Sequence, residues 1–227
     1  MKTLGIDAYL TLLEEYPHLA DNSDGQLEII TDREILYTEQ ERLYKMADEK
    51  SRPRTWYDLG LVAQDQWALV LRDLVRFPNG TYGGYLRKIN RNSQLELSGK
   101  DVTVLITIDD KFLLMKHYRH DDRAWHWECP RGFGERGISP SENALKEVSE
   151  ETGLTVLELK QINPENEQMA YFSAKCSGNC INTDGTEAID QYLLADAEMV
   201  RDMILKGEID DPYTIRALVL NNLNLNN

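Results

Sequence analysis

Three glutamates crowd a short stretch past the middle of the chain, Glu147, Glu150 and Glu151 in Lys146-Glu-Val-Ser-Glu-Glu-Thr152. On a helix, residues three and four apart are neighbours, so these carboxylates share one turn and one face. So placed they repel one another, yet the same grouping offers oxygen ligands to Mg²⁺ or Mn²⁺, hard cations that favour carboxylates and substrate phosphates. An acidic run is ordinarily a solvated surface. Here its surroundings are specific: a glycine-rich segment, Gly132-Phe-Gly-Glu-Arg-Gly137, leads in, and Gly153 follows one residue after Thr152. Cations held on such a face would let an acidic protein handle an anionic substrate.

The helix that carries them is well bounded. Ser139 can cap its start, Pro140 suits the first helical position and Glu142 completes a capping box. Gly153 can end it in a left-handed conformation. At about 100° per residue, Ala144, Leu145, Val148 and Thr152 form a face to pack on a sheet, beside the glutamates. The flanking pattern supplies that sheet. Strands are expected from Trp67 to Arg76 and from Tyr82 to Ile89, joined through Pro78-Asn79-Gly80, then over Val102 to Ile108, Phe112 to Tyr118, Thr155 to Leu159, Met169 to Lys175 and Gln191 to Leu194. Helices are expected near Ile6 to Tyr16, with Ala8, Leu12 and Leu13 on one side, and near Arg33 to Lys50, with Ile35, Leu36, Leu43 and Met46. Two more are expected over Ala195 to Lys206 and Pro212 to Leu220, and a short strand over Leu27 to Ile30. The fold class is therefore α/β or α+β, layered around a mixed sheet.

Composition narrows the partners. The 227 residues include 41% hydrophobic and 28% charged ones, enough for a self-sufficient core. Twenty-five basic against 39 acidic residues give a formal charge of −14, which argues against tracking DNA or RNA phosphates. No apolar run approaches the ~20 residues of a membrane helix, and the acids near the N-terminus do not suit a signal peptide. A cytoplasmic protein with no nucleic-acid and no membrane partner is expected. Cys129, Cys176 and Cys180 are read as reduced thiols rather than a zinc site, which needs about four ligands.

The stretch from Gly132 to Leu154 resembles the Nudix box: a glycine, five residues, Glu, seven residues, then Arg-Glu-hydrophobic-x-Glu-Glu-x-Gly-hydrophobic. Gly132, Glu147, Val148, Glu150, Glu151, Gly153 and Leu154 match at the required spacing. Trp127-Glu128-Cys129-Pro130-Arg131 looks like the Glu-x-Pro lead-in of the branch that acts on ADP-ribose and nucleotide sugars. Two positions depart. Ile138 stands where the first box glutamate belongs and Lys146 replaces the arginine, which in the family usually form an ion pair supporting the loop and helix. Glu135, three residues before Ile138, is the candidate to compensate.

The resemblance implies a Nudix α/β/α sandwich over residues 96–227. An antiparallel strand region over 53–95 would help form a homodimer, and a helical extension over 1–52 has no counterpart. It implies metal-dependent hydrolysis of the diphosphate in ADP-ribose or a related nucleoside diphosphate sugar, giving a nucleoside monophosphate and a sugar phosphate. Glu147, Glu150, Glu151 and the carbonyl of Gly132 would hold Mg²⁺ or Mn²⁺, with Glu150 and Glu151 in the catalytic machinery and Glu128 near both metal and substrate. Glu187 is the first choice for general base, with Glu165 and Glu167 as alternatives. Arg54, Arg76, Arg87 and Arg119 are candidates for the phosphate or ribose, and Trp56, Tyr57 and Tyr85 for stacking on a base. Two rivals stand: hydrolysis of dinucleoside polyphosphates, coenzyme A or an oxidised nucleotide, and a non-catalytic Nudix-fold sensor, which the missing first glutamate motivates.

Overall fold

The computed structural model describes residues 4–23, 25, 27–180 and 188–221. It divides into two compact units, residues 1–97 and 98–227. The segments expected separately over 1–52 and 53–95 thus fall in one unit.

In the first unit, α1 (Ile6–Glu15) and α2 (Arg33–Glu49) accompany an antiparallel sheet of β1 (Glu28–Ile29), β2 (Gly60–Gln64), β3 (Ala68–Arg76) and β4 (Tyr82–Asn90). The β3–β4 hairpin forms where Asn79-Gly80 placed it, with Gly80 at φ 82° and Ala68 opposite Asn90. The buried face of α1 is Ile6, Tyr9 and Leu13, with the expected Ala8 and Leu12 half-buried against the same core. Tyr9 joins that face because its hydroxyl finds a buried partner, donating to Asp73 Oδ1 at 2.6 Å. Similarly, α2 buries Gln40 while Ile35 is exposed. The Gln40 amide donates to Tyr57 O and accepts from Leu59 N–H, so both ends are paired.

The second unit is built on a seven-stranded mixed sheet. Its spine runs β11 (Ile189–Ala195), β6 (Lys111–Arg119), β5 (Asp101–Ile108), β10 (Met169–Ser177) and β9 (Thr155–Gln161). The strand β7 (Ala124–Glu128) pairs with β6, and β8 (Arg131–Gly132) with β5. Strands β5 and β10 are parallel; the other pairs are antiparallel. Asp109 and Asp110, both at positive φ, make the tight β5–β6 turn. Alternation along β5 divides the core. Val102, Val104 and Ile106 pack with Ala144 and Val148 of α3 (Pro140–Thr152), while Leu105 packs with Val200 and Met203 of α4 (Ala197–Leu205) and Ala217 and Leu218 of α5 (Pro212–Leu220). Helices therefore cover both faces of the sheet. Helix α4 starts later than expected because β11 continues to Ala195 and Asp196 caps the helix, accepting from Met199 N–H. Among the described residues, no helix is long and apolar enough to cross a membrane.

Candidate active site

Helix α3 has the boundaries its sequence dictates. The Ser139 hydroxyl accepts from Glu142 N–H while the Glu142 carboxylate accepts from Ser139 N–H, and Gly153 closes the helix at φ 69°. Hydrogen bonds from the Ser139 side chain and backbone hold the Glu142 carboxyl below the usual glutamate range.

The face that meets the sheet is shifted from the expected one. Ala144, Val148 and Thr152 are buried as foreseen, but Leu145 is exposed and Asn143 and Glu151 take its place. Asn143 earns burial by donating to Phe133 O at 3.0 Å, tying the glycine-rich loop to the helix. Glu151, 3% exposed, accepts from Arg131 N–H at 3.2 Å. Its backbone carbonyl accepts from the Tyr192 hydroxyl of β11 at 2.6 Å. Glu147 lies against Gly132: a Cβ there would stand 1.8 Å from Glu147 Oε1. Two carboxylates, one turn apart, thus face the two-residue strand β8. Glu150 points elsewhere; its side chain is half exposed and lies 3.8 Å from Lys146 Nζ.

The lost box ion pair is replaced. Lys146 Nζ bonds to Glu135 Oε1, so the loop is still tied to the helix by a charge pair, drawn from a residue three positions earlier. That bond, opposed by burial and aided by Glu150, raises the Lys146 pKa. The loop is also pressed close to Gly99. A Cβ on Gly99 would meet Glu135 O at 2.5 Å, and one on Gly134 would meet Gly99 backbone at 2.5 Å, so two glycines permit the approach.

Beside this face lies a cationic knot around Glu128, which is fully buried. Both Arg119 Nε and Nη2 bond to its carboxylate, His117 Nδ1 is 2.9 Å from Oε1, and Arg131 Nη2 is 3.4 Å from Oε2. Burial alone would raise the Glu128 carboxyl; the His117 bond and the two guanidiniums outweigh it and hold it below the usual range. Arg131 also lies 5.0 Å over the Tyr213 ring and 3.9 Å from Asp211. Sequence reasoning missed Arg131, His117 and Tyr213. Alternating polar residues along Trp125-His126-Trp127-Glu128 were the available signal, but alternation gives no hint of which partners arrive from β6 and α5.

Of the other predicted residues, Arg119 and Glu128 are brought together. Arg54, Arg76 and Arg87 each have a partner within the first unit. Arg54 makes two bonds to Asp48, Arg76 pairs with Glu28, and Arg87 Nη2 donates to Asp73 Oδ1 at 3.0 Å and to Leu19 O at 2.6 Å. Trp56 and Tyr85 are exposed, and Tyr57 is half-buried. Glu167 accepts from Asn163 and Arg216, whereas Glu165 is exposed. Glu187 lies outside the described residues.

Among the described residues, no three His, Cys, Asp or Glu side chains converge as a ready-made metal cage. The oxygen donors present nevertheless suit a hard cation that takes one or two protein carboxylates and completes its coordination with substrate phosphates and water. Glu147 and Glu151 flank the backbone of β8 in that manner.

A family model described as the NUDIX domain matches residues 98–217. A solved structure described as the crystal structure of an ADP compounds hydrolase is similar with a TM-score of 0.55 at 18% identity, over 71% of this chain and 88% of that one. At that identity the likeness is one of fold. No curated protein matches the chain.

Proposed function

Because this chain belongs to the Nudix family, we propose that it hydrolyses the diphosphate bridge of ADP-ribose or a related nucleoside diphosphate sugar. Water attacks one phosphorus and the bridging P–O bond breaks. A nucleoside monophosphate and a sugar phosphate leave, with the proton of the attacking water passing to solvent through a base. The observation that carries this reading is the pair Glu147 and Glu151 set against β8, beside a cavity with two arginines. These two carboxylates and the Gly132 carbonyl would hold the divalent cation, Mg²⁺ or Mn²⁺, with Glu150 at the solvent side. Such a cation supplies screening of the diphosphate charge and Lewis-acid activation of water.

The chain's own groups do the rest. Arg131 N–H fixes the Glu151 carboxylate. Glu128 orients the Arg119 and Arg131 guanidiniums, which are planar forks suited to phosphate oxygens. Glu187 remains the proposed base; Glu167 is already engaged by Arg216. The ADP compounds named for the structural neighbour support an adenine nucleotide as the substrate's other half. The sensor reading loses its motive, since Lys146 and Glu135 rebuild the tie whose loss suggested it. We further propose a homodimer through the first unit's sheet, where among the described residues β4 pairs only with β3 and exposes Tyr85 and Leu86.

Product analysis tests the reading. ADP-ribose incubated with Mg²⁺ should give AMP and ribose 5-phosphate in equal amounts, and none with EDTA. Absence of both products across a panel of nucleotide sugars would remove it.

A further inference from the structure

The cavity beside the glutamate face, about 290 Å³, is lined by charged side chains of both signs. Its lining includes the buried Glu128, the partly buried Arg119 and Arg131, and the exposed Tyr213. On its exposed side stand Asp121, Asp122 and Asp210, with His126 between the last two, its ring nitrogens 2.8 Å from Asp122 Oδ2 and 2.8 Å from Asp210 Oδ1. With Asp211 the lining holds five carboxylates against two guanidiniums, so it stays acidic even when His126 is protonated. The arginines are already partly neutralised: Arg119 is bound to Glu128, and Arg131 lies between Glu128 and Asp211.

An acidic wall repels a lengthening chain of phosphates but accepts hydrogen bonds from hydroxyl groups, each carboxylate oxygen offering lone pairs. Beneath it, the Arg131 guanidinium carbon lies 5.0 Å from the centre of the Tyr213 ring, and the buried Nε–H has no acceptor among the described residues. The Arg131 side chain is 24% exposed, so the terminal nitrogens of its fork can donate to a ligand in the cavity as well as to Glu128. Donors next to the diphosphate and acceptors beyond it match a molecule that is anionic at one end and polyhydroxylated and neutral at the other.

We infer that this cavity receives the neutral, hydroxyl-rich half of the substrate, and that Asp121 and Asp210 exclude ligands whose phosphate chain runs on past the diphosphate. The inference rests on the hydrolytic reading and makes it narrower: sugar diphosphates are selected over dinucleoside polyphosphates by the acidic wall, not by the metal-bearing face.

Equilibrium binding tests it without relying on turnover. Calorimetry on the full chain with Ca²⁺, using ADP-ribose and diadenosine tetraphosphate as probes, should show ADP-ribose bound at least ~10-fold more tightly. Removing two like charges from the neighbourhood of a solvated phosphate changes affinity on the order of tenfold. An Asp121→Asn/Asp210→Asn protein should therefore narrow the gap by about that factor, mainly by gaining affinity for the tetraphosphate. If that protein does not fold, Asp121→Asn alone, at an exposed position, should narrow it about threefold. Equal or tighter binding of the tetraphosphate by the unsubstituted chain overturns the inference. So does an unchanged ratio in the variants, or binding of neither probe. Cleavage of the tetraphosphate with Mg²⁺ alongside any of these outcomes would leave diphosphate hydrolysis standing and sink only the acidic-wall selection.

Discussion

Replacing Gly132 with alanine should separate activity from stability. Gly132 is not among the glycines held at positive φ, so its backbone tolerates a side chain. The obstacle is space. The new Cβ would sit 1.8 Å from Glu147 Oε1 and 2.1 Å from its Cδ, where ordinary contact begins near 3.4 Å. The carboxylate must retreat by roughly 1.5 Å, and because it ends a flexible side chain it can do so at little cost to folding. A ~1 Å misplacement at a reacting centre can cost about 10²-fold in rate. Gly132→Ala should therefore lower kcat for ADP-ribose by about two orders of magnitude and weaken Mg²⁺ activation, while thermal melting shifts by less than about 3 °C, equivalent to under ~1 kcal/mol. Paired measurement of turnover against Mg²⁺ and of Tm decides it. Unchanged kcat with normal Mg²⁺ dependence would show that Glu147 need not occupy this place. A melting loss of 10 °C or more would show that the glycine serves the fold instead.

Four further outcomes follow from the geometry. Glu135→Gln should cost no more than ~0.5 kcal/mol, since both partners are more than a third exposed. Its activity should fall several-fold nonetheless, because the loop loses its tie to α3; activity equal to the unsubstituted chain would remove that role. Asp73→Ala should destabilise by about 3 kcal/mol in urea unfolding, leaving Arg87 and the Tyr9 hydroxyl without their shared buried acceptor, and a loss under ~1 kcal/mol would contradict it. Arg87→Ala should lower stability without raising KM, whereas a raised KM with normal stability would restore Arg87 as a substrate contact. The His126 pKa is raised by its Asp210 bond, opposed by burial and helped by Asp122. Its contribution to stability is then complete below the unfolded histidine pKa of ~6.5 and is lost as pH rises through the higher folded value. An NMR titration of the metal-free protein should place His126 above ~6.5 and Asp210→Asn should lower it; titration at or below the ordinary value would contradict the bridge.

What could be read from the residues was whatever is written locally. The capping box, the glycine stop and the period of α3 lie within 15 consecutive positions, and the helix appears from Pro140 to Thr152 as those signals require. The hairpin marked by Asn79-Gly80 was equally local. Legibility failed where partners come from afar. Tyr9 and Gln40 looked like unremarkable helix residues, yet each is buried because a polar group distant in sequence or from another element satisfies it. Arginines were chosen as phosphate binders by type alone. Arg54, Arg76 and Arg87 turned out to have structural carboxylate partners, while Arg131, overlooked, is set between Glu128, Asp211 and Tyr213. Leu145 was placed inward by apolarity, but the stripe is centred one step round the helix, where Asn143 and Glu151 have hydrogen-bond partners.

The central claim is that Glu147 and Glu151 capture divalent cations for the reaction. Mn²⁺ binding, followed by the electron paramagnetic resonance of the free ion, measures it directly. The unsubstituted chain should take up Mn²⁺ more tightly when a nucleoside diphosphate sugar is present. Glu147→Gln and Glu151→Gln should each weaken uptake by at least ~10-fold, the order expected when a cation loses one of two carboxylate ligands. Uptake by both variants equal to that of the unsubstituted chain would contradict the claim.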